Sequence, residues 1–275
     1  MPPVLTMQPL HPSWPAPAGI HALMSTRQGG TSLPPFDSLN LRPPALGADL
    51  MGVADASEAV LANQQRFAAV LGATPVWLHQ VHGARVVRLL AAHLQPDAPL
   101  PEADASISTS PGIACTVLVA DCLPVLFCTR SGLAVGAAHA GWRGLAAGVL
   151  DNTVAALCQA AGCPPDQLLA WLGPCIGPQA FEVGADVLQA FGADPLAPAE
   201  VLSEANPLFC PSLRPDGSAR WRADLAGLAR RRLQALGVGY ISGGGWCTVA
   251  DASRFFSFRR DGRTGRMAAA IAIRA

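Results

Sequence analysis

Three short stretches of the sequence place ionisable side chains at turns or at breaks between apolar runs. AAHAGWRG places His139 at the end of an apolar run, with one alanine between it and a Gly-Trp-Arg-Gly turn. WLHQVHG places His82 beside a glycine, and ADC places Cys122 between two apolar runs. Loops at strand ends present reactive groups from a rigid scaffold, so these three residues are the first candidates for chemistry.

The apolar segment 113–139 predicts three strands, with a break at Cys122 between the first two. If the second and third strands form an antiparallel hairpin centred between Arg130 and Ser131, Cys122 lies directly opposite His139. Opposed Cβ atoms are about 5 Å apart, which is close enough for a thiolate and an imidazole to share a metal or a proton. A register slip of one residue would turn one of the two side chains away.

Two imidazoles and one thiolate suit Zn²⁺ with its fourth position open, which is the arrangement of catalytic zinc sites. The sequence therefore predicts a metal site formed by His82, Cys122 and His139. His79 is an alternative ligand, but in an extended segment His79 and His82 point to opposite faces, so only one reaches the site. A metal-free alternative uses Cys122 as nucleophile and His139 as its base, and the spacing alone does not separate the two mechanisms.

The elements that must position these residues follow from apolar periodicity. Helical spacing predicts helices over 56–72, 145–162, 185–192 and 222–237. Strand patterns occur on both sides of a turn at His82 and Gly83, in LLAWL and in the closing MAAAIAI, whereas 195–217 is expected to be irregular. These patterns indicate one α/β domain built on mixed sheets over residues 1–275, with 1–20 as an irregular N-terminal segment.

Composition excludes several classes of protein. The 19 basic and 19 acidic residues leave no basic field for nucleic acid. The sequence contains no lysine, which excludes Schiff-base chemistry and a P-loop lysine. No apolar run reaches ~18 residues, and the N-terminal stretch lacks a basic region, so we expect neither a membrane partner nor a signal peptide.

The eight cysteines are scattered and form no Cys-X-X-Cys pair. This usage is typical of reduced thiols, most of which serve as small core residues. We therefore expect a soluble cytoplasmic protein.

Glycine-rich turns are candidates for holding phosphate through backbone N–H groups. Such turns occur in QGG, GWRG and SGGGWC, but they are common in proteins without phosphate sites. GWRG is the better candidate because a helix follows it. The arginines at 230–232 are expected on the solvated face of a helix, and the His-X-Glu with Pro-Cys-X-X-Cys signature of base deaminases is missing.

Joined motifs along the chain resemble the YfiH family, also called laccase-domain or multicopper polyphenol oxidase-like proteins. The resemblance runs in order from about residue 22 to the C-terminus. It rests on STRQGG, FDSLNL, WLHQVHG, ADCLPVLF, AAHAGWRG, GPCIGP with FEVG, and the tail WCT with FFSFRRDGRTGRMA. The one departure noted is Phe258, where many members carry tyrosine, and it leaves the predicted ligands unchanged.

The resemblance implies an α/β (α+β) fold of two packed mixed sheets flanked by helices, similar to a group of cysteine hydrolases. It also implies that the family's metal triad falls on His82, Cys122 and His139. The expected cofactor is Zn²⁺, with Cu²⁺ as the alternative. A true multicopper oxidase needs about ten histidines for its copper ions, whereas this chain has six.

Members of the family act on purine nucleosides, which makes a purine nucleoside and phosphate the expected small-molecule partners. The resemblance implies phosphorolysis of adenosine, inosine and methylthioadenosine, with adenosine deamination as a side activity. Arg27 and Arg143 are our candidates for phosphate, and Asn40 for a polar contact with the nucleoside. The alternatives are a cysteine or zinc amidohydrolase that edits a peptidoglycan precursor, a copper-dependent phenol oxidase at the same site, and a non-enzymatic scaffold.

Overall fold

Thirteen β-strands and six α-helices make up the part of the chain that the structure, a computed structural model, describes: residues 6–47, 52, 54–197, 204 and 206–275. The strands are β1 Ile20–Met24, β2 Thr74–Val76, β3 Val86–Arg88, β4 Ala105–Ser108, β5 Ile113–Val119, β6 Leu123–Thr129, β7 Val135–Ala140, β8 Leu168–Leu172, β9 Glu182–Val183, β10 Phe209–Leu213, β11 Ala219–Ala223, β12 Tyr240–Gly243 and β13 Met267–Ile273. The helices are α1 Ser57–Leu71, α2 Trp142–Ala146, α3 Val149–Ala161, α4 Ala185–Ala190, α5 Leu225–Ala235 and α6 Phe258–Asp261.

Two mixed sheets form the centre of the fold, as the family resemblance implied. A six-stranded sheet has the order β12-β8-β6-β7-β4-β3, and a four-stranded sheet has the order β1-β13-β5-β2. Both contain parallel and antiparallel pairs. Side chains from both sheets meet in one buried cluster, to which Leu126 and Trp171 contribute from one sheet and Val117 and Ile271 from the other.

Helices cover the outer faces of the two sheets. α3 and α5 pack their apolar sides on the six-stranded sheet, and α1 packs Phe67 and Leu71 on the four-stranded sheet. Alternate residues of β6 therefore enter different cores: Phe127 faces the helices, and Leu126 faces the other sheet. A strand covered on both faces is apolar throughout, which explains the unbroken run LPVLF.

A third, antiparallel sheet of the order β10-β11-β9 was not expected. β10 occupies part of the segment 195–217 that was predicted to be irregular, so that prediction is wrong for 209–213; residues 198–203 and 205 lie outside the described part. The strand escaped detection because it lies at a sheet edge, is mostly exposed and contains Pro211, which an edge strand tolerates.

Two predicted helices are shorter or divided. The segment 145–162 is not one helix, because Gly148 adopts φ 89° and separates α2 from α3. The helix predicted over 222–237 begins at Leu225, since residues up to Ala223 belong to β11 and the Asp224 side chain caps the helix by accepting from the Gly227 N–H. The helix predicted over 56–72 is confirmed as α1, which ends at Gly72 with φ 70°.

The N-terminal segment contains an isolated bridge between Leu10 and Met24 and otherwise no strand or helix from residue 6 to 19, while 1–5 lie outside the described residues. Within the described part of the chain, no helix is long and apolar enough to span a bilayer.

Phe127→Ala tests the core between the six-stranded sheet and its helices. Phe127 is fully buried in β6, so the loss of its ring should lower the free energy of unfolding by about 3–5 kcal/mol. The control Leu133→Ala removes a side chain that is 61% exposed in the neighbouring turn and should cost less than about 0.5 kcal/mol. Urea unfolding of both variants measures the difference, and equal costs would contradict this assignment of the core.

Candidate metal centre

His82, Cys122 and His139 come together at one end of the six-stranded sheet. Cys122 directly precedes β6, His139 lies in β7, and His82 lies in the loop between β2 and β3. One ligand atom from each of the three residues lies within 4.8 Å of the others. The imidazole rings meet edge to face, with their centres 4.9 Å apart. The predicted alternative ligand, His79, is not part of this cluster.

The register of the β6–β7 hairpin differs from the predicted one. His139 pairs with Pro124 and Ala140 pairs with Leu123, so Cys122 faces Gly141 rather than His139. The turn is centred one residue further along the chain than predicted, because the Thr129 N–H donates to the Ala134 carbonyl and leaves four residues, 130–133, in the loop. A shift of two residues keeps each side chain on its face, so Cys122 and His139 still meet as diagonal neighbours.

Gly141 keeps the space between the three side chains open. A Cβ atom at this position would lie 3.0 Å from Cys122 Sγ, 3.2 Å from His82 Cδ2 and 3.7 Å from His139 Cε1. Any larger residue would therefore enter the point on which the ligand atoms converge. The donor set, a thiolate with two imidazoles, and this open point together fit a bound Zn²⁺ ion.

Asp104 is a residue that the sequence reasoning missed. It is fully buried directly before β4. Its carboxylate accepts hydrogen bonds from the backbone N–H groups of Val81, His82 and Gly83 and from His139 Nδ1. Burial alone would raise the pKa of Asp104, but the His139 and backbone hydrogen bonds lower it below its usual range. The sequence signal was an acidic residue directly before the short strand ASIS.

A network around Asp121 holds the turn that carries Cys122. Asp121 adopts φ 92°, a left-handed conformation that few residues other than glycine accept. Its carboxylate accepts from Thr248 Oγ1 at 2.5 Å and from the Arg259 N–H at 2.7 Å, and its carbonyl accepts from the Ile176 N–H at 2.9 Å. Contacts with Ile176, with Thr248 and with helix α6 thus hold the turn that carries Cys122.

Without a metal, Cys122 and His139 form an ion pair. Burial raises the pKa of the Cys122 thiol, but the charge and hydrogen bond of His139 outweigh it and lower the pKa to about 6. Burial lowers the pKa of His139, but the Cys122 thiolate and the Asp104 carboxylate raise it to about 9. The thiolate is therefore available at neutral pH, either as a metal ligand or as a nucleophile.

The three residues predicted to bind substrate lie in different environments. Arg143 is exposed on α2, and its guanidinium lies 4.4 Å from the centre of the Trp142 ring. Arg27 donates to the carbonyls of Asp37 and Ala252 and forms an ion pair with the Asp37 carboxylate.

The third, Asn40, is 2% exposed, donates to the Asp55 carboxylate and accepts from the backbone N–H groups of Arg42 and Arg266.

Two of the glycine-rich turns have a packing role. A Cβ at Gly30 would lie 2.0 Å from the Ser38 carbonyl, and one at Gly243 would lie 2.2 Å from the Leu172 carbonyl. Glycine is needed at both positions because another backbone segment approaches closely. The arginines at 230–232 are also partly structural, since Arg230 donates to the Ile241 and Gly243 carbonyls.

Comparisons with known proteins find extensive similarity. Residues 21–274 match the model of a family described as multi-copper polyphenol oxidoreductase laccase. A purine nucleoside phosphorylase of Pseudomonas aeruginosa is 51% identical over 262 residues, which are 95% of this chain and 97% of that protein. The purine nucleoside phosphorylase YfiH of Escherichia coli is 47% identical over 263 residues, covering 94% of this chain and 96% of that protein.

Solved structures match as well. The crystal structure of a Neisseria meningitidis protein of family DUF152 is 42% identical, with a TM-score of 0.80 over 98% of this chain and 100% of that one. YlmD of Geobacillus stearothermophilus also has a TM-score of 0.80, at 30% identity, over 98% of this chain and 100% of that one.

Gly141→Ala tests whether the open point holds a metal. Its methyl group would crowd Cys122 Sγ at 3.0 Å, so we expect Zn²⁺ affinity to fall on the order of tenfold or more. In the control Gly83→Ala, the nearest atom to the new methyl group is 3.6 Å away, which is ordinary contact. Zinc titration with a competing chelator compares the two variants, and equal affinity in both would argue against a metal at this point.

Proposed function

Because the chain belongs to the multi-copper polyphenol oxidoreductase laccase family, we propose that it is a zinc-dependent purine nucleoside phosphorylase. The sequence motifs predicted a resemblance to YfiH proteins, and this prediction is confirmed. The proposed reaction cleaves the N-glycosidic bond of adenosine, inosine or methylthioadenosine with phosphate and yields the free base and the ribosyl 1-phosphate. The observation that carries the proposal is the convergence of His82, Cys122 and His139 within 4.8 Å, in a chain that matches proteins of that name almost end to end.

The distribution of histidines supports one metal centre rather than a set of copper sites. His11, His21 and His93 are each within hydrogen-bond distance of a backbone carbonyl outside the cluster. His79 also lies outside the cluster, so His82 and His139 are the two histidines of the one cluster of metal-ligating side chains found among the described residues. Copper-dependent phenol oxidation would then be a property of the ion bound at this single site.

Bound Zn²⁺ would supply Lewis-acid stabilisation of charge, which serves nucleoside phosphorolysis and the proposed adenosine deaminase side activity alike. The protein contributes the positions of the ligands around the open point. His139 is 3% exposed and fixes the inner wall, whereas His82 is exposed and forms the outer one. A substrate therefore approaches the open point from the side of His82.

Arg143 is the group that we propose for phosphate. It follows Gly141 by two residues, and its exposed guanidinium rests on the Trp142 ring. A planar guanidinium binds phosphate through paired hydrogen bonds. Because the chain contains no lysine, arginine is the side chain that offers a permanent positive charge for this contact. Arg27 and Asn40 remain proposed substrate contacts, although their polar atoms already bind protein groups and would have to share them.

A hydrolase is the second candidate, favoured by the Cys122–His139 ion pair. A thiol whose pKa is about 6 is ionised at neutral pH and can attack an amide or ester carbon. The proposed substrate of this alternative is a peptidoglycan precursor. Release of serine from such a precursor by metal-free protein, with nucleosides left intact, would favour this alternative over phosphorolysis.

We propose a cytoplasmic location. All eight cysteines are free, and several of them are buried in the core as small apolar side chains. The balance of 19 basic and 19 acidic residues supports small-molecule partners rather than nucleic acid.

Phosphate-dependent release of adenine from adenosine tests the main proposal. We expect the wild type to release adenine and ribose 1-phosphate in equal amounts. Cys122→Ala should lower the rate about 100-fold or more, because it removes a ligand of the ion that stabilises charge. The control Cys210→Ala changes an exposed thiol and should leave the rate unchanged. Adenine release that did not depend on phosphate would contradict phosphorolysis.

Arg143→Ala tests the phosphate contact. Loss of a charge-assisted hydrogen bond should raise the KM for phosphate about tenfold, while the KM for adenosine stays within about twofold. Arg231→Ala, which removes another exposed arginine on α5, is the matched control. Steady-state kinetics with each substrate varied in turn give both constants, and an unchanged KM for phosphate would rule out this role.

A further inference from the structure

We propose that Asp104 is the positioning residue of the metal centre, because its single carboxylate fixes both histidine ligands. This inference rests on the proposed function, which makes His82 and His139 ligands. Asp104 is fully buried, and it contacts the His139 imidazole and the backbone of the loop that carries His82. It therefore acts through the ligands rather than on the substrate.

The two carboxylate oxygens of Asp104 divide four donors between them. Oδ1 accepts from the His82 N–H at 2.9 Å and from His139 Nδ1 at 2.8 Å. Oδ2 accepts from the N–H groups of Val81 at 3.1 Å and Gly83 at 2.7 Å. The backbone carbonyl of Asp104 also accepts from the His139 N–H at 2.7 Å. All three oxygen atoms of Asp104 thus accept hydrogen bonds from His139 or from the loop that carries His82.

For His139, the contact selects the ring nitrogen that faces the centre. Because Asp104 is an acceptor, Nδ1 carries the proton and Nε2 keeps the lone pair that a metal requires. A carboxylate behind a ligating imidazole also increases the basicity of the coordinating nitrogen. Asp104 thereby determines both the orientation and the tautomer of this ligand.

For His82, the contact holds an unfavourable backbone conformation. His82 adopts φ 61°, where a residue with a side chain persists only if its surroundings impose it. Hydrogen bonds from three consecutive N–H groups to one carboxylate impose this turn. A close approach by Gly144 secures it from the other side, since a Cβ there would lie 2.7 Å from the Gly83 carbonyl.

Charge balance also favours this arrangement. The Asp104 carboxylate and the Cys122 thiolate together carry two negative charges beside a largely buried point. A divalent cation bound there offsets both charges, and buried charges are tolerated only when they are compensated.

Asparagine at position 104 cannot replace these contacts. Whichever way the amide is turned, its NH₂ group faces two of the four donors. With NH₂ towards Val81 and Gly83, the turn that carries His82 loses two of its three hydrogen bonds to residue 104. With NH₂ towards His139, Nδ1 must become the acceptor, the proton moves to Nε2, and the nitrogen that faces the centre can no longer bind a metal.

The decisive experiment compares Asp104→Asn with the wild type by two measurements that do not depend on activity. Zn²⁺ affinity, measured against a chromophoric chelator, should fall about 10–100-fold. In the Co²⁺-substituted protein, the visible bands that report on ligand geometry should shift. Asp251→Asn is the control, because Asp251 accepts from Ser253 and from Arg254 outside the metal cluster. Its Zn²⁺ affinity should stay within about twofold of the wild type.

Zn²⁺ affinity and Co²⁺ bands equal to those of the wild type in a folded Asp104→Asn protein would overturn the proposal. If Asp104→Asn does not fold, Asp104→Glu carries the same test, because it keeps the charge but displaces the oxygens by one methylene. Absence of Zn²⁺ binding in the wild type would overturn the centre and this role together. Tight zinc binding without phosphorolysis would refute the proposed function alone and leave the assignment of Asp104 intact.

Discussion

The antiparallel pairing of β6 with β7 is the constraint on which the site depends. It places Cys122, which precedes β6, beside His139, which lies near the end of β7. The two strands are neighbours in the middle of the six-stranded sheet. Both faces of β6 are buried, so hydrophobic alternation cannot define the register of this pair. The four-residue turn between Thr129 and Ala134 defines it instead, through a hydrogen bond from the Thr129 N–H to the Ala134 carbonyl.

The site lies where this apolar hairpin ends, and its charged groups compensate one another. Asp104, Cys122 and His139 would each be costly to bury alone. Together they form a chain in which the carboxylate accepts from the imidazole and the imidazole faces the thiolate. The left-handed backbone at His82 and Asp121 indicates that the surrounding hydrogen bonds, rather than local preference, hold the site in shape.

Glycines of the glycine-rich motifs have distinct roles that the motifs alone do not distinguish. Gly141 leaves space between three ligand atoms, whereas Gly144 allows α2 to approach the loop of His82. Gly30 and Gly243 permit close contact with a neighbouring backbone segment. A glycine-rich motif therefore points to a phosphate cradle only when nothing else in the fold requires the absence of a side chain.

The sequence by itself determined the class of fold, the central strands, helix α1 and the three residues that form the cluster of His82, Cys122 and His139. These follow from apolar periodicity over long segments and from joined motifs, both of which are local properties of the chain. The hairpin register was wrong by two residues, because a strand that is apolar on both faces does not encode which residue opposes which. The third sheet was missed because β10 is an exposed edge strand.

Only the tertiary structure revealed the role of Asp104. The carboxylate is 22 positions from His82 and 35 from His139 along the chain, and neither spacing belongs to a local motif. Asp104 reaches both histidines because β4 pairs with β7 and the loop of His82 lies at the same end of the six-stranded sheet. Contacts between segments that are distant in sequence are formed by packing, and for that reason they are absent from any short stretch of residues.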